Sequence, residues 1–165
     1  MDNRMDNRMD KMELIGLNTC DILIELKPPK LDMLGISIKN ELIIFREESY
    51  SRVKNKYLKD QLEAPASALV WAVDTIENGF GKKPNEGGLP RNVLHAETTI
   101  ESEKLYLRRT MNCGAPNQQG YTLKNFSRFS YIDSDDYQEI QLPDYLLFDE
   151  GLLDKLKHLA TTSKP

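Results

Sequence analysis

A cysteine hydrolase needs a thiolate, a base and a group that orients the base. The chain offers one such set, Cys113 in the loop "YLRRTMNCGAPNQQGYTLKNF" (106–126) and His95 upstream of it. The Asn112-Cys113-Gly114 step could turn backbone amides toward an oxyanion. If 92–100 and 104–110 pair as a hairpin, the flanks near Asn92 and Met111 meet and His95 comes within reach of the loop. The competing reading is an inert, buried thiol, a common state of free cysteine. His158, the remaining histidine, falls in the last turn of a terminal helix.

Other reaction chemistry has less to stand on. In "HAETT" and "HLATTS" the first Thr follows His by three residues. On a strand that spacing points to opposite faces, against the His-x-Thr pattern of two-histidine phosphodiesterases. "DSDDYQEIQLPD" begins like a calcium loop with Asp133 and Asp135, but Tyr137 and Gln138 occupy places that need an oxygen ligand and a glycine. His95, Glu97 and Glu101 form no recognisable ligand set. In "GFGKKPNEGGLP" (79–90), Gly81 and Lys82 are followed by Lys83 and Pro84 where a phosphate loop requires Ser or Thr opening a helix. No metal or cofactor is expected.

Charge distribution carries more. Asp133, Asp135, Asp136, Glu139, Asp144, Asp149 and Glu150 succeed one another with no intervening Lys or Arg, and Tyr137, Tyr145 and Phe148 are interleaved. Carboxylates beside tyrosines suit capture of a basic protein, the charges steering encounter and the rings supplying contact energy. A solvated loop running into a helix N-terminus would also account for Asp149 and Glu150. The Cys113 loop adds side-chain amides at Asn112, Asn117, Gln118 and Gln119, shaped by Gly114, Pro116 and Gly120. Partner-binding candidates are therefore Asp133, Asp135, Asp136, Tyr137, Glu139, Tyr145, Asn117 and Gln118.

These residues must be positioned by alternating elements. "CDILIEL" (20–26) reads as a strand stopped by Pro28 and Pro29, and "GISIKNELIIF" (35–45) as a hairpin turning near Lys39 and Asn40. From Glu47, the residues Tyr50, Val53, Tyr57, Leu58 and Leu62 recur at helical spacing, with Arg52, Lys54, Lys56 and Lys59 opposite, which predicts a basic-faced helix. A second, buried helix is expected over 64–81, with Pro65 in its first turn, a stripe of Ala66, Leu69, Val70, Val73 and Ile76, and Gly79 as its stop. Strands at 92–100, 104–110 and 121–132 follow, and Leu152, Leu153, Leu156, Leu159 and Ala160 mark a short C-terminal helix. The expectation is an α+β fold, a largely antiparallel sheet with two central helices and a C-terminal helix packed on it.

At 165 residues, 39% hydrophobic and 29% charged, the chain suits a single domain over 13–162. The repeat "MDNRMDNRMDK" reads as a disordered polar leader over 1–12. Cys20 and Cys113 are too few for a disulfide framework. With no signal-like apolar run and no stretch long enough to span a membrane, a cytoplasmic location is expected. A net charge of −4 argues against direct nucleic-acid binding. The leading functional expectation is a small acidic inhibitor or immunity-type protein that blocks a basic partner such as a nuclease toxin, with a homo-oligomer left open. The alternative is a small cysteine-dependent hydrolase using Cys113 and His95.

Overall fold

The computed structural model describes residues 12–16, 22–27, 33–133 and 135–162. Cys20, Pro28, Pro29 and nearly all of the expected leader lie outside them. The chain is α+β, as its alternating patterns predict, and its two halves repeat one plan. β1 (Ile24–Leu26), β2 (Met33–Lys39), β3 (Leu42–Ser51) and β4 (Lys56–Pro65) form an antiparallel meander in sequence order. α1 (Ala68–Asp74) follows and continues as a π-helical turn, Thr75–Phe80. A 3-10 turn at Pro84–Glu86 leads to a second meander: β5 (His95–Ile100), β6 (Glu103–Thr110), β7 (Gly120–Phe129) and β8 (Tyr137–Pro143). Another π-helical turn, Tyr145–Asp149, and α2 (Leu152–Thr162) close the chain. Both fourth strands end on a proline that faces the first residue of the third strand, Pro65 opposite Leu42 and Pro143 opposite Gly120. Proline cannot extend the ladder, so each meander stops there and the chain turns into helix.

One core joins the halves. Leu34, Ile36, Ile43, Phe45, Leu62 and Ala64 supply it from the first sheet, and Leu105, Leu107, Leu123, Ile140 and Leu142 from the second. Leu69, Val73, Ile76, Leu152, Leu153 and Leu156 close it from the helices. Alternation along the strands puts these apolar positions on one face and leaves the other face polar.

Two helix expectations need correction. The segment from Glu47 to Leu62 is not a helix; it is the β3–β4 hairpin, with Tyr50 paired to Tyr57 and Glu47 to Asp60. Its paired Tyr50 and Tyr57 favour strands, and Asn55 takes the left-handed conformation (φ 49°) the turn requires. Long-range pairing with β2 outweighs a helical spacing that the same residues also satisfy. The next helix begins later than expected, since Pro65 is the last residue of β4 and Gly79 lies inside the π-helical turn rather than ending it.

Candidate binding site

The expected acidic docking face divides along β8. At one end Asp133, Asp135 and Asp136 build the β7–β8 turn: the Asp135 amide donates to Asp133 Oδ1 at 3.0 Å and the Tyr137 amide to Asp136 Oδ1 at 2.8 Å. Asp and Asn commonly form such side-chain-to-backbone turns, so the Asp133 and Asp136 carboxylates have structural work in place. Tyr137 packs edge-on against Phe126 at 4.8 Å, at the end of a ring row that continues through Tyr106 to His95. Past the other end of β8, Asp144 clamps Arg109 through two 2.6 Å contacts. Asn117 sits exposed in a left-handed turn, its amide held by Asn112 Oδ1 at 2.8 Å.

Three of the expected residues do meet. Glu139, Gln118 and Tyr145 line a cavity of about 270 Å³ together with Glu47, Asp60, Gly114, Gln141 and Pro143, and among the described residues no Lys or Arg lines it. Glu47 and Asp60 arrive from the first sheet, where they face each other across the β3–β4 ladder at the rim of the core face. Glu139 arrives from the second sheet, its other side held by Lys124 at 3.3 Å. Burial and the neighbouring Asp60 and Glu139 charges push the Glu47 carboxyl up to about 8. Burial also raises Asp60, to about 6, with the Glu139 and Glu63 charges adding to the rise. The Glu47 carboxylate has no hydrogen bond or ion pair among the described residues. The site is therefore short of positive charge. Glu47 and Asp60 escape the sequence reading because a helix over Glu47–Leu62 never places positions 47 and 60 opposite each other, and Gln141 because no strand is expected over β8.

Behind the cavity a polar cluster fastens one sheet to the other. Arg128 Nε donates to Glu103 Oε1 at 2.6 Å and its Nη1 lies 3.6 Å from Glu63 Oε1, with all three side chains nearly inaccessible. Asn125 bridges Glu103 Oε1 and the Glu63 carbonyl, and Gln138 accepts the Glu63 amide at 2.8 Å. The Tyr131 hydroxyl reaches both Glu63 Oε1 and the carbonyl of Met12. Arg46 and Gln61 bind the 13–16 segment beside it. Glu63 Oε2 has no hydrogen-bond partner among the described residues, and burial raises the Glu63 carboxyl above its usual range.

Cys113 is buried, its Sγ 3.4 Å from the Tyr121 carbonyl, and burial pushes the thiol up to about 11. His95 is exposed on the outer face of the second sheet, stacked on Tyr106 at 5.4 Å. Nothing among the described residues connects them. Nor does any group of three His, Cys, Asp or Glu side chains among those residues have the arrangement of a metal site, and no helix there is long and apolar enough to cross a membrane.

No family model matches the chain. A stretch of 79 residues, 48% of this chain and 95% of the other protein, is 28% identical to the translational regulator CsrA of Brachyspira hyodysenteriae.

Proposed function

We propose that the chain is a cytoplasmic binding protein, of the inhibitor or immunity kind, whose acidic cavity receives an arginine or lysine side chain from a basic protein such as a nuclease toxin. The observation that carries this reading is the convergence of Glu47, Asp60 and Glu139 on a cavity that no basic residue lines among the described residues. Burial first, and the neighbouring carboxylates after it, raise Glu47 and Asp60, so ionising them together in this partly dry site costs stability. A guanidinium entering between them would relieve that repulsion and discharge the retained proton. Gln118 and Gln141 could complete its hydrogen bonds, and the Tyr145 ring provides a wall for its apolar stem. A small cysteine-dependent hydrolase draws no support from a thiol held protonated in the interior.

The test is differential capture from source lysate, read by mass spectrometry, using wild type and a Glu47→Gln/Glu139→Gln variant. A strongly basic protein retained by the wild type and lost by the variant is expected. Equal retention of basic proteins by both would contradict the reading.

A further inference from the structure

We infer that the outer edge of β4, residues Lys56–Asp60, is a docking edge for a second copy of this chain. β4 is the last strand of the first sheet. Its inner half, from Gln61 on, is buried against the second sheet, but Lys56–Asp60 continue past it at the surface. The amide and carbonyl of Glu63 turn away from β3, toward Gln138 and Asn125. In an antiparallel ladder backbone groups alternate sides, so those of Tyr57 and Lys59 turn the same way. Among the described residues no hydrogen bond meets them there.

An unpaired edge normally carries lysines to keep other strands away. Here the side chains are complementary to themselves. The segment reads Lys56-Tyr57-Leu58-Lys59-Asp60. Laid antiparallel on its copy about a two-fold axis at Leu58, it sets Lys56 against Asp60 of the second copy, Tyr57 against Lys59, and Leu58 against Leu58. Opposed residues share a face in such a ladder, so each lysine meets a carboxylate or a ring and never another lysine. The register also satisfies the backbone. Tyr57 and Lys59 carry the outward groups and fall opposite each other as a hydrogen-bonded pair, twice by symmetry.

Charge along the hairpin fits the same arrangement. Arg52, Lys54, Lys56 and Lys59 occupy its outer part with no acid among residues 49–59, and none of them makes an ion pair among the described residues. Glu47 and Asp60 stand at its base, and among the described residues no cation lines their cavity. Antiparallel pairing brings the basic tip of each hairpin over the acidic base of the other.

Sedimentation velocity of the full chain from 1 to 200 µM, loadings set on the order of the affinity a small edge contact gives, decides the matter. A dimer that dissociates as sodium chloride is raised is expected. Lys56→Asp and Asp60→Lys should each weaken it by about tenfold or more, because both symmetric pairs become repulsive. Mixing those two variants should restore a dimer, since Asp at 56 then faces Lys at 60 and Lys56 faces Asp60. Circular dichroism confirms that each variant is folded. A chain that stays monomeric at every concentration and salt, or a dimer that the substitutions leave unchanged or the mixture fails to restore, overturns the inference. Because the cavity is probed separately, through Glu47 and Glu139 with a small cation, loss of the dimer would not remove that reading.

Discussion

Glu47 stands opposite Asp60 in the β3–β4 ladder, two carboxylates on one face of a hairpin at the rim of the core. Directly opposed like charges destabilise a sheet, and burial of Glu47 adds to the cost. A stability optimum would place a counter-ion there. The chain instead leaves a cavity.

The first expected outcome concerns pH. Glu47 holds its proton to about pH 8 in the folded state, whereas an unfolded glutamate releases it near 4.3. Between those values the folded state binds more protons, so stability from this group is full below the unfolded pKa and falls as pH rises through about 8. Asp60 adds a smaller loss that accumulates as pH rises from its unfolded value near 3.9 and is complete just above about 6. Urea unfolding of Glu47→Gln should therefore match the wild type near pH 4.5 and exceed its stability at pH 9 by about 1–3 kcal/mol. A constant difference across that range would count against the strained carboxylate.

The inter-sheet cluster makes a different demand. Among the described residues Arg128 is the sole cation holding Glu63 and Glu103, in a site with almost no solvent access. Arg128→Ala should cost about 3–5 kcal/mol, since it strands buried carboxylates without a partner. A double replacement, Arg128→Met with Glu103→Gln, should recover part of that loss. Thermal unfolding with the same ranking of variants checks this, and an Arg128→Ala protein as stable as the wild type would deny the cluster its fastening role.

Cys113 and Gly120 test the loop. A methyl group on Gly120 would lie 2.8 Å from Cys113 Sγ and 2.6 Å from the Leu142 carbonyl, closer than packed atoms allow. Gly120→Ala should destabilise by about 1–3 kcal/mol. In the folded protein iodoacetamide should alkylate Cys113 far more slowly than a free thiol at pH 7.5, because the reactive thiolate is scarce and covered. Fast alkylation at neutral pH would return the thiol to consideration as a nucleophile.

Much of the fold was legible from local pattern. His95–Ile100 and Glu103–Thr110 alternate polar and apolar residues around the turn at Ser102, and the leucines of α2 repeat at helical spacing. Those segments follow a single period. The β3–β4 hairpin does not: Tyr50, Val53, Tyr57 and Leu58 fit a helix as well as a strand, and only pairing with β2 and the turn at Asn55 decides between them. β8 was hidden differently, its acids drawing the eye to charge while Gln138, Ile140 and Leu142 alternate inward beneath. The candidate site was half legible for the same reason. Glu139, Gln118 and Tyr145 stand out as acid, amide and ring, whereas Glu47 and Asp60 become neighbours only once the hairpin exists.

The cavity's taste for cations can be read without knowing the natural partner. Protein amide resonances, followed by NMR at low protein concentration and pH 8, would be titrated with N-acetyl-arginine methylamide and, in parallel, with its uncharged citrulline counterpart. Saturable shifts at Glu47, Asp60, Gln118, Glu139, Gln141 and Tyr145 with the arginine compound alone, lost in Glu47→Gln/Glu139→Gln, are predicted. The absence of saturable shifts at those residues, or equal shifts with citrulline, would contradict the account.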